Sequence, residues 1–145
     1  MATRPKEVVT YTMQRVRSKD TSAEIALRRA LWRSGLRFRL YRRTLPGHPD
    51  IVFPRSKVAV FVDGDFWHGN QWRLRGLQHL EDQFRDSANS EYWIRKISRN
   101  MVRDMESTTA LEGSGWRVVR IWESDIKRDL SDCVERVRRE VLVSR

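Results

Sequence analysis

Two short apolar runs joined by a tight turn constrain this chain more than any other feature. Asp50-Ile51-Val52-Phe53 and Lys57-Val58-Ala59-Val60-Phe61-Val62 flank Pro54-Arg55-Ser56. Runs this short and rich in β-branched residues read as a hairpin, with the second strand buried on both faces. The hairpin carries an acid at each end of its path. Asp50 opens the first strand, after the Pro46-Gly47-His48-Pro49 turn, and Asp63 closes the second. Pairing of the strands would bring these carboxylates close together. Buried acids are unfavourable unless a cation or a hydrogen-bond network balances them.

The flanking segments alternate between helix and strand. Thr21-Ser22-Ala23-Glu24 has the form of a capping box, and Ala23, Ala26, Leu27, Ala30 and Leu31 follow at helical spacing, so a helix is predicted over about 22–34. Leu36, Phe38 and Leu40 alternate with polar residues as in a half-buried strand. Residues 69–89 are polar and Arg-rich and read as a long loop or short helical pieces. From Ser90, the stripe Trp93, Ile94, Ile97, Met101, Met105, Thr108 and Leu111 predicts a long helix, stopped by Gly113 and Gly115. Trp116 to Trp122 forms a further strand, and residues 125–143 read as one amphipathic helix. The order α-β-β-β-α-β-α implies an α/β domain, a mixed sheet flanked by helices.

Charge narrows the partners. The 145 residues hold 29 Lys and Arg against 19 Asp and Glu, a formal net of +10. The length suits one domain, predicted here as residues 20–145 behind a basic arm at 1–19. Such an excess, mostly Arg, favours nucleic acid or an anionic surface. The single cysteine, Cys133, excludes an internal disulfide and thiolate-rich zinc cages. No run of about 18 apolar residues predicts a membrane helix. The first 19 residues lack a signal-peptide stretch. A cytoplasmic protein is expected, and nothing in the sequence calls for an oligomer.

Acids gathered in a basic chain suggest a hard metal ion brought to phosphodiesters. Mg²⁺ prefers carboxylates, carbonyls and water. Asp50 and Asp63 could supply ligands, with the main-chain carbonyl of Val62 beside them, and His68 could act as general base or acid. Structural alternatives stand beside each role. Asp63-Gly64-Asp65 could be an ordinary turn, Asp50 could cap one, and His68 could be a packing histidine. Arg73, Arg75, Arg95, Arg99 and the arm, including Lys19, could contact phosphates.

Five blocks, in order, resemble the very short patch repair (Vsr) mismatch endonucleases of the PD-(D/E)XK nuclease superfamily. They are Met13 to Thr21, Leu45 to Asp50, Phe61 to His68, Glu91 to Asp104 and Gly115 to Glu123, with Ser-Lys-Asp-Thr and Phe-Trp-His the most specific elements. The resemblance implies a restriction-endonuclease-like mixed sheet and Mg²⁺-dependent nicking of DNA beside a mispaired base. It assigns Asp50 and the Val62 carbonyl to the metal, His68 to catalysis, Glu24 to the metal-associated water and Asp104 to support of the histidine. The capping box accounts for Glu24 equally well. Phe66, Trp67 and Trp93 match aromatics that wedge beside the mismatch, although Trp93 also lies on an apolar helix stripe. Two departures stand out. Asp63 occupies the position of a second catalytic histidine and is expected as a further metal ligand. The family's structural zinc positions hold Asp65, Asn70, Trp72 and Ser124, so no structural zinc is expected. Three other readings remain: a defence or restriction-associated nuclease without mismatch specificity, a DNA-binding module without catalysis, and a basic interaction protein.

Overall fold

The computed structural model describes residues 21–41 and 43–143. The basic arm and Lys19 lie outside the described residues. Helix α1, Ser22–Arg33, starts where Thr21 Oγ1 accepts the Glu24 N–H at 3.2 Å. It ends at Gly35, whose φ of +95° suits glycine. The hairpin forms as its composition dictates. Strand β2, Ile51–Phe53, pairs antiparallel with β3, Val58–Asp63, and Ile51 stands opposite Val60.

Strand β1 is shorter than its alternation implies. Only Arg39–Leu40 pair with β2, and both residues are exposed at the sheet edge. Leu36 and Phe38 still face inward, the latter edge-on to Trp32 and Phe53. The alternation therefore reports side-chain packing rather than a ladder of backbone bonds. Tyr41, at φ +52°, ends the pairing.

The long connection holds two short helices, α2 (Gln71–Leu74) and α3 (Leu80–Gln83), and then α4 (Ser90–Gly113). Strand β4, Arg117–Trp122, returns parallel to β3, with Asp63 opposite Trp122. The sheet order is β1-β2-β3-β4, which makes a four-stranded mixed sheet. The expected terminal helix is two helices, α5 (Glu123–Arg128) and α6 (Leu130–Val143). They break at Asp129, whose Oδ1 accepts the Asp132 N–H at 3.1 Å as a fresh cap.

Alternation along the strands divides the core. Val58, Val60 and Ile121 pack under α1, α5 and α6, together with Leu27, Leu31, Ile126 and Val137. Val52, Ala59 and Phe61 face Leu111 of α4. A third cluster sits under the connection, where Leu80, Phe84 and Ile97 meet Phe66, Trp72 and Trp93. The result is an α/β fold of the restriction-endonuclease-like kind, with helices on both faces. Among the described residues, no helix is long and apolar enough to cross a membrane.

Candidate active site

The hairpin register decides where Asp50 stands. Its N–H donates to Val60 O at 3.0 Å, and its Oδ2 accepts the Val62 N–H at 2.8 Å. Asp50 and Val62 thereby share the wall of a cavity of about 600 Å³ that Glu24, Tyr41, His68 and Glu123 also line. Burial, against the Val62 hydrogen bond, raises the Asp50 carboxyl from 3.8 to about 7, and the charges of Glu24 and Asp63 add to the shift. Glu24 is 3% exposed, and its carboxylate is bound by Arg28 Nη1 at 3.1 Å and by the Tyr41 hydroxyl. Capping explains the backbone of Glu24, but the side chain reaches the cavity.

His68 stands between this cavity and a second one of about 540 Å³, in whose wall Trp67, Asn100, Arg103 and Asp104 also lie. Its Nδ1 is 2.5 Å from Asp104 Oδ2 on α4 and 3.7 Å from Asp63 Oδ1. With Asp104 ionised, Nδ1 carries the proton and donates it. Burial opposes the imidazolium, but the Asp104 hydrogen bond and the charges of Asp63 and Asp104 outweigh it and hold His68 above its usual pKa. Nε2 has no hydrogen bond among the described residues.

Asp63 takes a different place from that of Asp50. It is 4% exposed, and both its oxygens accept from Arg120 Nη1 at 3.2 Å. Arg120 also donates through Nη2 to Asp104 O at 3.1 Å and through Nε to Thr108 Oγ1 at 2.8 Å, and its guanidinium lies 4.0 Å over the Phe61 ring. Burial raises the Asp63 carboxyl, while His68 and Arg120 pull it back. Asp63, His68 and Asp104 bring ligand atoms within 4.8 Å of one another, and Asp50 stands outside that group. Arg120 already supplies the positive charge there.

Two residues at this site were not anticipated. Arg120 is a cation in the apolar run Val118-Val119-Arg120-Ile121, which is itself a signal. Its partner depends on the β3–β4 register, which no local pattern reveals. Glu123 follows β4 directly, lines the first cavity and has its carboxyl raised by burial.

Phe66, Trp67 and Trp93 meet in one aromatic cluster, with ring centroids 5.1 Å (Phe66–Trp67), 5.5 Å (Phe66–Trp93) and 5.8 Å (Trp67–Trp93) apart. Trp67 is 5% exposed. Arg73, Arg75, Arg95 and Arg99 are exposed, and no ion pair among the described residues involves them. At the positions matched to zinc ligands, Asp65 binds Asn70 and Ser124, and Trp72 Nε1 donates to Gly69 O at 2.8 Å. One carboxylate, a carboxamide, a hydroxyl and an indole do not make a zinc donor set.

Comparison with known proteins places the chain. Residues 3–74 match the family profile described as DNA mismatch endonuclease Vsr. The type II nicking enzyme V.NmeDIP of Neisseria meningitidis serogroup C is 44% identical over 89% of this chain and 82% of the relative. The type II nicking enzyme V.XorIIP of Xanthomonas oryzae pv. oryzae is 42% identical over 88% of each. The DNA mismatch endonuclease Vsr of Escherichia coli K12 is 32% identical over 79% of this chain and 69% of the relative. The class is thus that of the endodeoxyribonucleases. Within it, the chain belongs to the Vsr family.

Proposed function

We propose that this enzyme nicks one strand of double-stranded DNA at or near a mispaired or distorted base, with Mg²⁺ held at Asp50. The observation that carries this reading is the cavity itself. A half-buried carboxylate, a strand peptide, a buried glutamate and a carboxylate-backed histidine face one space. Asp50 and the Val62 carbonyl would hold the cation, since an acid plus a main-chain oxygen is a hard donor set. The bound ion supplies neutralisation of the phosphodiester and lowers the pKa of water.

The remaining steps belong to the chain. Glu24, fixed by Arg28 and Tyr41, orients water beside Asp50. His68 moves a proton through Nε2, as Asp104 keeps Nδ1 protonated. Its raised pKa favours donation to the departing oxygen. Asp63 supports His68 together with Arg120, in preference to the ligand role its position first suggested. Phe66, Trp67 and Trp93 lie on the segments that flank His68. Separating them to enter a base step is least costly where pairing is already poor, which would select mismatched DNA. Arg73, Arg75, Arg95 and Arg99, with Lys19 in the arm, would bind phosphates.

A second reading drops the mismatch requirement, and the names of the nicking-enzyme relatives favour it. Duplexes with and without one T:G pair, each given Mg²⁺ or EDTA, separate the two. Nicking confined to the mismatched duplex is expected. Equal cutting of matched DNA supports the second reading, and binding without cutting in either duplex defeats both.

Metal binding should also appear in stability. The Asp50 carboxyl is raised in the folded state, so this group favours folding at low pH and costs stability as pH rises from about 4 through about 7. A cation on the ionised form reverses that cost. Mg²⁺ should therefore raise Tm at about pH 8, have little effect near pH 5, and lose its effect in Asp50→Asn. A response that survives in Asp50→Asn would place the metal elsewhere.

A further inference from the structure

The loop that carries His68 is fastened on two sides by different means. On one side, α4 holds it by close packing. Asn100 Nδ2 donates to Trp67 O at 3.0 Å, and a Cβ on Gly69 would meet Met101 Sδ at 2.4 Å. On the other side, polar groups hold it. Asp65 Oδ1 accepts from Ser124 Oγ at 2.7 Å and from Asn70 Nδ2 at 2.8 Å. Asp65 Oδ2 accepts the Ser124 N–H at 3.0 Å. The Asp65 carbonyl accepts the N–H groups of Asn70 and Gln71 at 2.8 and 3.1 Å. One aspartate thus closes the loop around His68 and ties it to the first turn of α5. Asn70 is only 7% exposed, so part of this network is shielded from competing water.

The clamp occupies three of the four positions that the family resemblance matches to zinc ligands, with Trp72 the fourth, and none of the four holds a thiolate or imidazole. Its bonds span the places a metal would join. We infer that Asp65, through Ser124 and Asn70, is a positioning residue that fixes His68 for the reaction by hydrogen bonds in place of a metal crosslink.

The inference rests on the nuclease reading for its kinetic consequence, but its geometric consequence stands apart. Without Asp65 the loop keeps its hold on α4 and loses its hold on α5. His68 would then shift relative to Asp104 and the cavity. A displacement of about 1 Å costs on the order of 100-fold in rate.

The test uses the full chain, with Asp65→Ala, Ser124→Ala and Ser124→Thr. Single-turnover nicking with Mg²⁺ and DNA affinity are measured well below Tm. The His68 Nδ1 proton is followed by NMR as a downfield resonance. Asp65→Ala should lose on the order of 100-fold in the nicking rate. Its DNA affinity should stay within about twofold, and the His68 resonance should move or vanish. Ser124→Ala should fall between, and Ser124→Thr, which keeps the hydroxyl and the N–H, should restore both readouts. An Asp65→Ala protein with the wild-type rate and resonance would overturn the inference. So would rate and affinity falling together with the resonance unchanged, or one zinc per chain in the wild-type protein. If the wild-type protein fails to nick any DNA, the nuclease reading falls, and the resonance alone still decides the clamp.

Discussion

Asp50→Ala should abolish nicking while DNA affinity stays within a few-fold of wild type. The carboxylate shares the cavity wall with Val62, and on the proposed reading it holds the cation. Losing about 4 kcal/mol of transition-state stabilisation corresponds to roughly a thousandfold in rate, and a lost metal site should cost at least that. Asp50→Asn separates charge from architecture. The carboxamide oxygen can still accept the Val62 N–H, so the hairpin end should stay in place, yet the negative charge is gone. Equal loss of activity in both variants, with normal binding of labelled duplex, assigns the defect to the charge. Wild-type rates in either variant would remove Asp50 from the mechanism.

Arg120→Met should give the largest loss of stability of any single change discussed. It strands Asp63, 4% exposed, without the Arg120 Nη1 that both its oxygens accept from. Breaking a buried pair by removing one partner costs about 3–5 kcal/mol. Arg120 is 22% exposed and His68 remains nearby, so the lower end, about 3 kcal/mol, is expected. For a domain of this size that is about 10 °C in Tm. The sign of the pH dependence follows from Asp63, whose folded pKa is already raised and would rise further. Its protonation relieves the variant, so the loss should be greater at high pH than at low pH. Replacing both partners, Asp63→Leu with Arg120→Met, should recover much of the stability, because the cost comes from the stranded charge. A destabilisation independent of pH would show that packing, not charge, is the cause.

These two residues also mark what local patterns reveal. Asp50 was readable because everything that positions it lies within one hairpin. A proline-glycine turn, two β-branched runs and a short connection bring it to Val62. Helix α4 was readable through its apolar stripe and glycine stop. The pairing of Asp63 with Arg120 was not, because that partner arrives from a strand far along the chain, in a register that no periodicity encodes. Alternation over Leu36–Leu40 suggested a longer strand, since inward side chains and paired backbones leave the same trace. The break between α5 and α6 did carry a local signal, Asp129 three residues before Asp132, which helical spacing on either side masked.

The parallel pairing of β3 with β4 has a consequence for how the molecule reaches its working form. Asp63 cannot be satisfied, nor the Asp65 clamp close, until the strand after α4 has come home. Closing so long a loop is entropically slow compared with forming a hairpin or a helix. The partners of Asp63 and Asp65 therefore come into place only with the β3–β4 pairing.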